Sequence, residues 1–261
     1  MGADILILTI YFICVLYVLY QMALSVEANL EDQVQIVLDA ETLNAAIAPQ
    51  LAQQNRSDLS SKVVSSPKLS YLELTFPLDK SETGRVQIQV NPQGERPLQP
   101  PIQQLAVSVI NGLPDQQVFI DWDSSSISVH GGLAYRVIRQ VPGMPTDLFQ
   151  PQVYTVTNPG QVVNVGVTSE ALFRRPENAL SVQSAPVLID LERIPEMKEP
   201  LRTYSIRLLV WVKSMTQPDL RPVRLLVPFN FRIEVLPDHV ALPILSWLLD
   251  LFTLGPKMRS R

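Results

Sequence analysis

The sequence of 261 residues has few of the side chains that build cross-links, metal sites and nucleotide loops. Its one cysteine, Cys14, excludes an intrachain disulfide. The two histidines, His130 and His239, are far apart in the chain, and a zinc site needs clustered ligands. The 10 glycines form neither a Walker loop, nor a G-x-G-x-x-G motif, nor a G-x-S-x-G nucleophile elbow. We therefore predict no cofactor, no metal and no catalytic residue, and hence a protein that is not an enzyme.

Positive charge is also scarce. The chain has 21 Lys and Arg against 25 Asp and Glu, a net charge of −4 and a pI near 5.3. Binding to nucleic acid needs a basic face. We therefore expect no nucleic-acid partner.

Charge is absent altogether from the longest apolar run, which extends from Ile5 to Val26. A helix rises about 1.5 Å per residue, so this run would reach about 33 Å, close to the hydrocarbon thickness of a bilayer. The N-terminus carries Asp4 where a signal peptide has Lys or Arg, and the run is longer than a signal-peptide core. We predict an uncleaved transmembrane anchor over residues 1–26, which makes the lipid bilayer a partner of this single-pass membrane protein.

The segment 27–67 is predicted to be a helical stalk followed by a linker. Apolar residues up to Leu38 follow a helical period, which favours a continuation of the anchor. Alternatively, Asp39 and Thr42 cap a separate helix. Residues 53–67 are polar and rich in serine, which is typical of a linker.

From Lys68 the apolar period changes to two, the period of a half-buried strand. The clearest cases are 206–212 and 225–235. About nine short strands separated by turn signals, with almost no helix, predict a mainly β domain over residues 68–237, an antiparallel sandwich of immunoglobulin-like type. Trp122 is expected to anchor its core. Further strands are predicted at 118–122, 126–130, 134–139, 161–167 and 186–193.

Residues 238–261 are predicted to form a short amphipathic helix with a basic tail. The polar residues between His239 and Thr253 fall on one stripe, and the helix is too short to cross a bilayer. It either lies among lipid headgroups or covers an open face of the sandwich. The basic tail favours the anionic cytoplasmic leaflet, which would place the domain on the cytoplasmic side. The predicted membrane contacts are Trp247, Leu248, Phe252, Lys257, Arg259 and Arg261.

Two short motifs have a chemical interpretation. On a strand, Asp121 and Asp123 would point away from Trp122, about 7 Å apart, a spacing that suits calcium or an acid/base pair. A solvated face beside a core tryptophan is the commoner arrangement, and Arg136 and Arg139 near a partner strand would pair with these acids. The glycines of His130-Gly131-Gly132 match an esterase oxyanion loop, but without a nucleophile elbow they favour a tight turn.

The proline-stiffened run 142–151 carries apolar residues at its tip. Such a loop binds a partner or folds back over the sandwich. The predicted contacts with an unidentified protein partner are Met144, Leu148 and Phe149. The favoured function is a membrane-anchored scaffold or interaction protein, an accessory or assembly component of a membrane complex. The alternative is a hydrolase or small-ligand-binding sandwich that uses Asp121 and Asp123.

The segments VFIDWDSSSIS (118–128) and RVIRQVPGMPTDLFQPQVYTVTNPGQ (136–161) resemble a family of single-pass, membrane-anchored β-sandwich proteins of cyanobacteria. That family has no assigned activity, so the resemblance implies no catalytic residue here. It implies a prokaryotic plasma or thylakoid membrane.

Overall fold

The computed structural model describes residues 8–15, 17–18, 34–56, 58–65, 70–78, 83–92, 101–141, 148, 150–174, 183–184, 187–191, 193–217 and 220–235. The chain divides into two units. One comprises Met1–Val34 and Val235–Arg261, and the other comprises Gln35–Glu234.

In the first unit, residues 8–15 and 17–18 are helical. Their large apolar side chains are exposed; Leu8 is 69% and Tyr11 67% accessible. Among the described residues, no helix has both the length and the apolar character needed to cross a membrane. The rest of the predicted anchor lies outside the described residues.

The second unit is mainly β and antiparallel, as the alternating apolar pattern predicts. Its strands are β1 (Val34–Leu38), β2 (Ser60–Ser65), β3 (Ser70–Pro77), β4 (Thr83–Pro92), β5 (Leu105–Asn111), β6 (Gln116–Val129), β7 (Tyr135–Gln140), β8 (Thr155–Thr157), β9 (Val162–Ser169), β10 (Phe173–Arg174), β11 (Gln183–Ser184), β12 (Thr203–Ser214) and β13 (Val223–Val235). One α-helix, α1 (Ala40–Gln53), and two 3-10 turns, Glu170–Leu172 and Glu199–Leu201, complete the described elements.

Eleven strands form one hydrogen-bonded sheet in the order β1-β13-β12-β6-β7-β9-β5-β4-β3-β2, with β8 paired to β6 and β10 paired separately to β11. Strand β7 joins the two halves of this order. Its first two residues, Tyr135 and Arg136, pair with β6, and the following four pair with β9. The sheet therefore splits between β6 and β7, and this split positions the candidate site.

The core follows the period-two pattern of the sequence. In β13, six alternate side chains are at most 4% exposed: Val223, Leu225, Val227, Phe229, Phe231 and Ile233. Trp122 is fully buried, as predicted, and its indole Nε1 donates to the Thr155 hydroxyl at 2.9 Å. Each such apolar side chain contributes about 1.5–3 kcal/mol on burial. The alternation therefore accounts for which face of each strand points inward.

Residues 34–65 differ from the predicted stalk and linker. Residues 34–38 form strand β1 beside β13, and β2 lies within the stretch predicted as a linker. The alternative reading of Asp39 as a helix cap is confirmed, since its carboxylate accepts from the Thr42 N–H at 3.1 Å. Helix α1 then continues through Pro49 and packs three buried side chains, Leu43, Ile47 and Leu51, on the domain. Residues 34–38 form a strand because they pair with β13, and this pairing is not visible in the local period of the sequence.

The segment 186–193 also differs from its prediction. Within the part of it that the structure describes, only one isolated bridge joins it to another segment, between Ile189 and Ile102. Its buried residues Leu188, Ile189 and Leu191 contribute to the core from an irregular backbone.

Helix α1 covers part of the outer edge of β13. The Gln50 side chain donates to the Leu226 carbonyl at 2.9 Å and accepts from the Leu226 N–H at 2.8 Å. Gln54 makes the same pair of bonds with Arg224, at 2.6 and 3.0 Å. Pro228, next on this edge, has no N–H to satisfy. Two glutamine side chains thus supply the hydrogen bonds that another strand would make.

Candidate functional site at the split between β6 and β7

Asp121 and Asp123, the two acids with a predicted chemical role, lie at a bulge in β6. Against β12, Asp121 pairs with Leu209 and Ser126 with Arg207, so four residues of β6 face Leu208 alone. A bulge of this kind leaves backbone groups without ladder partners and re-aims the side chains around it. The residues of the bulge are Trp122–Ser125.

Asp121 supplies the missing partners from within the bulge. Its Oδ1 accepts from the backbone N–H of Asp123 at 3.1 Å and of Ser124 at 3.2 Å, and its Oδ2 accepts from the Ser124 hydroxyl at 2.8 Å. The Ser125 hydroxyl donates to the Asp121 carbonyl and accepts from the Leu209 N–H. Asp121 is only 8% exposed. Its carboxylate therefore faces the chain's own backbone rather than solvent, unlike the solvated face expected from the sequence.

Arg136 lies at the centre of a second group, which we call the polar cluster: Asp123, Arg136, Gln152 and Glu170. Its guanidinium is 3.3 Å from a carboxylate oxygen of Asp123 and 3.3 Å from one of Glu170. Nη2 also donates to the Leu148 carbonyl at 2.6 Å. The predicted pairing of Arg136 with this acidic strand is thus confirmed for Asp123. Charge-assisted bonds of this kind are about twice as strong as neutral ones.

Gln152 fills the gap where β7 leaves β6. Its side chain donates to the Val137 carbonyl at 2.7 Å and accepts from the Arg139 N–H at 2.8 Å, as a neighbouring strand would. Its backbone N–H and side-chain amide both donate to Asp123, at 2.8 and 3.1 Å. The polar cluster therefore fixes Leu148 and Gln152, the end of the predicted loop, to the sheet.

The polar cluster suits positioning better than proton transfer. Both oxygens of Asp123 already accept hydrogen bonds, and its side chain is 30% exposed. Glu170 is the more open carboxylate at 36%. Among the residues that the structure describes, no three His, Cys, Asp or Glu side chains come together in a way that could hold a metal ion. The polar cluster holds the end of the loop, at Leu148 and Gln152, against β6 and β7 at the point where these strands diverge.

The structure describes few of the predicted contact residues. Leu148 is half-buried and belongs to the loop end held by Arg136. Met144 and Phe149 lie outside the described residues. The same is true of the predicted membrane contacts, namely Trp247, Leu248, Phe252, Lys257, Arg259 and Arg261.

The tight turn predicted at His130-Gly131-Gly132 is confirmed. His130 and Gly131 have φ of +55° and +67°, and the Gly132 N–H donates to the Val129 carbonyl at 3.0 Å. Two successive positive φ values match the hairpin turns that follow strand twist. The turn joins β6 to β7, and the His130 ring Nδ1 lies 3.0 Å from the Leu201 carbonyl oxygen.

Sequence reasoning missed an aromatic group on the side of the sheet facing away from the core. Trp211 contacts Tyr154, with ring centroids 5.1 Å apart, and Phe119, at 6.4 Å. The Arg224 guanidinium lies 5.1 Å from the Trp211 ring centre. The sequence signal was the continuous apolar run of β12, which places Trp211 opposite the core-facing residues. The register that brings its neighbours together is not visible in the sequence.

No protein-family model matches this chain, and neither a curated protein nor a solved structure matches it.

Proposed function

We propose that this chain is a membrane-anchored, non-enzymatic scaffold or protein-interaction protein. It serves as an accessory or assembly component of a membrane complex. Its β domain is an immunoglobulin-like sandwich that presents the loop around residues 142–149 to a protein partner. Met144, Leu148 and Phe149 are the proposed contacts.

The observation that carries this proposal is the attachment of the loop end. Arg136 holds the Leu148 carbonyl at 2.6 Å, and Gln152 makes four hydrogen bonds with Asp123 and β7. A loop whose end is fixed in this way loses less entropy when it binds. The half-buried polar cluster around Arg136 is therefore consistent with a loop that is preorganised for binding.

Membrane attachment rests on the first and last segments of the chain. The uncharged run Ile5–Val26 has the length of a bilayer span. Its described helical residues expose their apolar side chains. The proposed C-terminal lipid contacts, from Trp247 to Arg261, would add an amphipathic helix on the cytoplasmic side. The resemblance to cyanobacterial proteins favours a prokaryotic plasma or thylakoid membrane.

The rival function, a hydrolase or ligand-binding protein that uses Asp121 and Asp123, has less support. The Asp121 carboxylate accepts three hydrogen bonds from its own bulge. A general base needs an oxygen within reach of a substrate proton. Asp123 would first have to release Gln152 or Arg136.

The test is a quantitative pull-down of the tagged full-length protein from mild detergent. In the test variant, residues 142–147 are replaced by a Gly/Ser segment of equal length and Phe149 by Ser, which leaves Leu148 and Gln152 in place to hold the loop end. The matched control is Met215→Ser, which removes an exposed methionine from a different loop.

We expect a stoichiometric partner with the wild type and with Met215→Ser, and its loss with the loop variant. The same partners from all three proteins, or no stoichiometric partner from any, would contradict the proposal. Circular dichroism on the three preparations checks that the sheet is intact.

A further inference from the structure

Both ends of the β domain leave the sheet at the same place. The Asp39 N–H, just after β1, donates to the Asn230 carbonyl at 2.9 Å. Further back along β13, the outward backbone groups of Arg224 and Leu226 are bonded by side chains of helix α1. Strand β1 can therefore pair only with the part of β13 beyond Asn230. The start of β1 must lie beside the end of β13.

The connections from this place to the proposed membrane segments are short. Seven residues separate Val26, the end of the proposed anchor, from β1, and three separate β13 from the C-terminal segment that begins at His239. An extended chain spans at most about 3.5 Å per residue, so these connections reach about 25 Å and about 10 Å. If the anchor spans a bilayer, this end of the sheet has to stay near the bilayer surface.

The same end carries an exposed apolar group. The His130 N–H donates to the Thr203 carbonyl at 2.8 Å, and the Ile233 N–H donates to the Arg202 carbonyl at 2.7 Å, so the β6–β7 turn and the turn before β12 lie beside the end of β13. Leu133 is 76% and Leu201 41% exposed. We call the exposed residues of these two turns the apolar rim: Leu133, Ala134, Pro200 and Leu201.

The two turns of the apolar rim contact each other. The Leu201 side chain lies 3.7 Å from the point where a Cβ would stand on Gly131, and the His130 ring contacts the Leu201 backbone. The opposite end of β12 also carries exposed apolar side chains, since Met215 is 55% and Leu220 50% exposed. There, Asp115 accepts from the hydroxyls of Ser214 and Thr216 at 2.9 and 2.6 Å. The apolar rim is therefore distinguished by its place, because the short connections to the proposed membrane segments leave from its end of the sheet.

We propose that the apolar rim contacts the lipid headgroup layer and orients the domain with the β6–β7 turn towards the membrane. This inference rests on the proposed membrane anchoring. Leucines on a turn tip enter the headgroup–acyl boundary as the apolar face of an interfacial helix does. The end of β12 at Asp115 would then face away from the bilayer.

The test places a polarity-sensitive dye at either end of the domain in the full-length protein. Cys14→Ser removes the only native thiol. Leu133→Cys then labels the apolar rim, and Met215→Cys, at a site 55% exposed near the other end of β12, is the matched control. Each protein carries a nitrobenzoxadiazole dye and is reconstituted into phosphatidylcholine/phosphatidylglycerol vesicles, with and without brominated acyl chains.

We expect a blue shift and quenching by brominated lipid at position 133, and neither at position 215. If the protein floats with the vesicles but the dye at position 133 stays in water, the proposed lipid contact of the apolar rim is wrong and the membrane anchor is retained. Protein that does not float with the vesicles would overturn the anchor, and the inference with it.

Discussion

The glutamine-covered edge of β13 gives the sharpest stability prediction. Gln50 and Gln54 together make four hydrogen bonds with the backbone of Leu226 and Arg224. A typical hydrogen bond contributes about 1 kcal/mol net, so four contribute about 4 kcal/mol. Ordering the two glutamine side chains takes back about 1 kcal/mol each. The double substitution Gln50→Ala and Gln54→Ala should therefore lower the free energy of unfolding by about 2 kcal/mol.

The assay is thermal unfolding of the full-length protein in detergent, followed by tryptophan fluorescence, because Trp122 lies in the core. For a domain of this size, about 2 kcal/mol lowers the Tm by about 4–8 °C. The freed edge of β13 would also present unpaired N–H and C=O groups, which invite strand pairing between molecules. We therefore expect association that rises with protein concentration, measured by light scattering.

The matched control is Gln50→Glu with Gln54→Glu. A carboxylate still accepts from the backbone N–H groups of Leu226 and Arg224 but cannot donate to their carbonyls. Its charge should keep the edge from pairing, since charged side chains blunt exposed strands. This variant should lose stability but show no more association than the wild type. An alanine double variant with unchanged Tm and no association would refute the assigned role of the glutamines.

Three further predictions concern side chains inside the fold. Asp121→Ala should lower the free energy of unfolding by about 3 kcal/mol, because it removes the carboxylate that accepts the hydrogen bonds of the bulge. Asp121→Asn keeps one acceptor oxygen and should lower it by only about 1 kcal/mol. Equal losses for the two variants on urea unfolding would contradict this role in the bulge. Trp122→Phe should lower the free energy of unfolding by about 2 kcal/mol, since it leaves a gap in the core and removes the hydrogen-bond donor to Thr155. A stability equal to that of the wild type would show that the indole hydrogen bond is unimportant. Hydrogen bonds from Thr216, and then from Ser214, hold the pKa of Asp115 below its usual value of 3.8. Its contribution is therefore present above that value and lost as the pH falls through the lower folded pKa. Asp115→Asn should lower the Tm at about pH 7, and its difference from wild type should shrink as the pH falls below that value; a difference independent of pH would count against it.

The sequence by itself determined the elements whose signal is local. Alternating apolar residues identified β12 and β13, because period two is a property of each strand alone. The turn at His130–Gly132 has a local signal too, and so has the cap at Asp39, although the sequence offered that cap only as the alternative to a continuous stalk helix. These features depend on residues within a few positions of each other, so no tertiary contact is needed to predict them.

The tertiary structure decided what depends on distant partners. Residues 34–38 fit a helical period, yet they form a strand because β13 offers an unpaired edge. Gln50 and Gln152 have no local signal, and their roles follow from the strand edges that they meet. Asp121 became an internal bulge acceptor only because β6 and β12 change register there. A strand's register and its edges are set by chains far away in sequence, and a single sequence does not encode them in any local pattern.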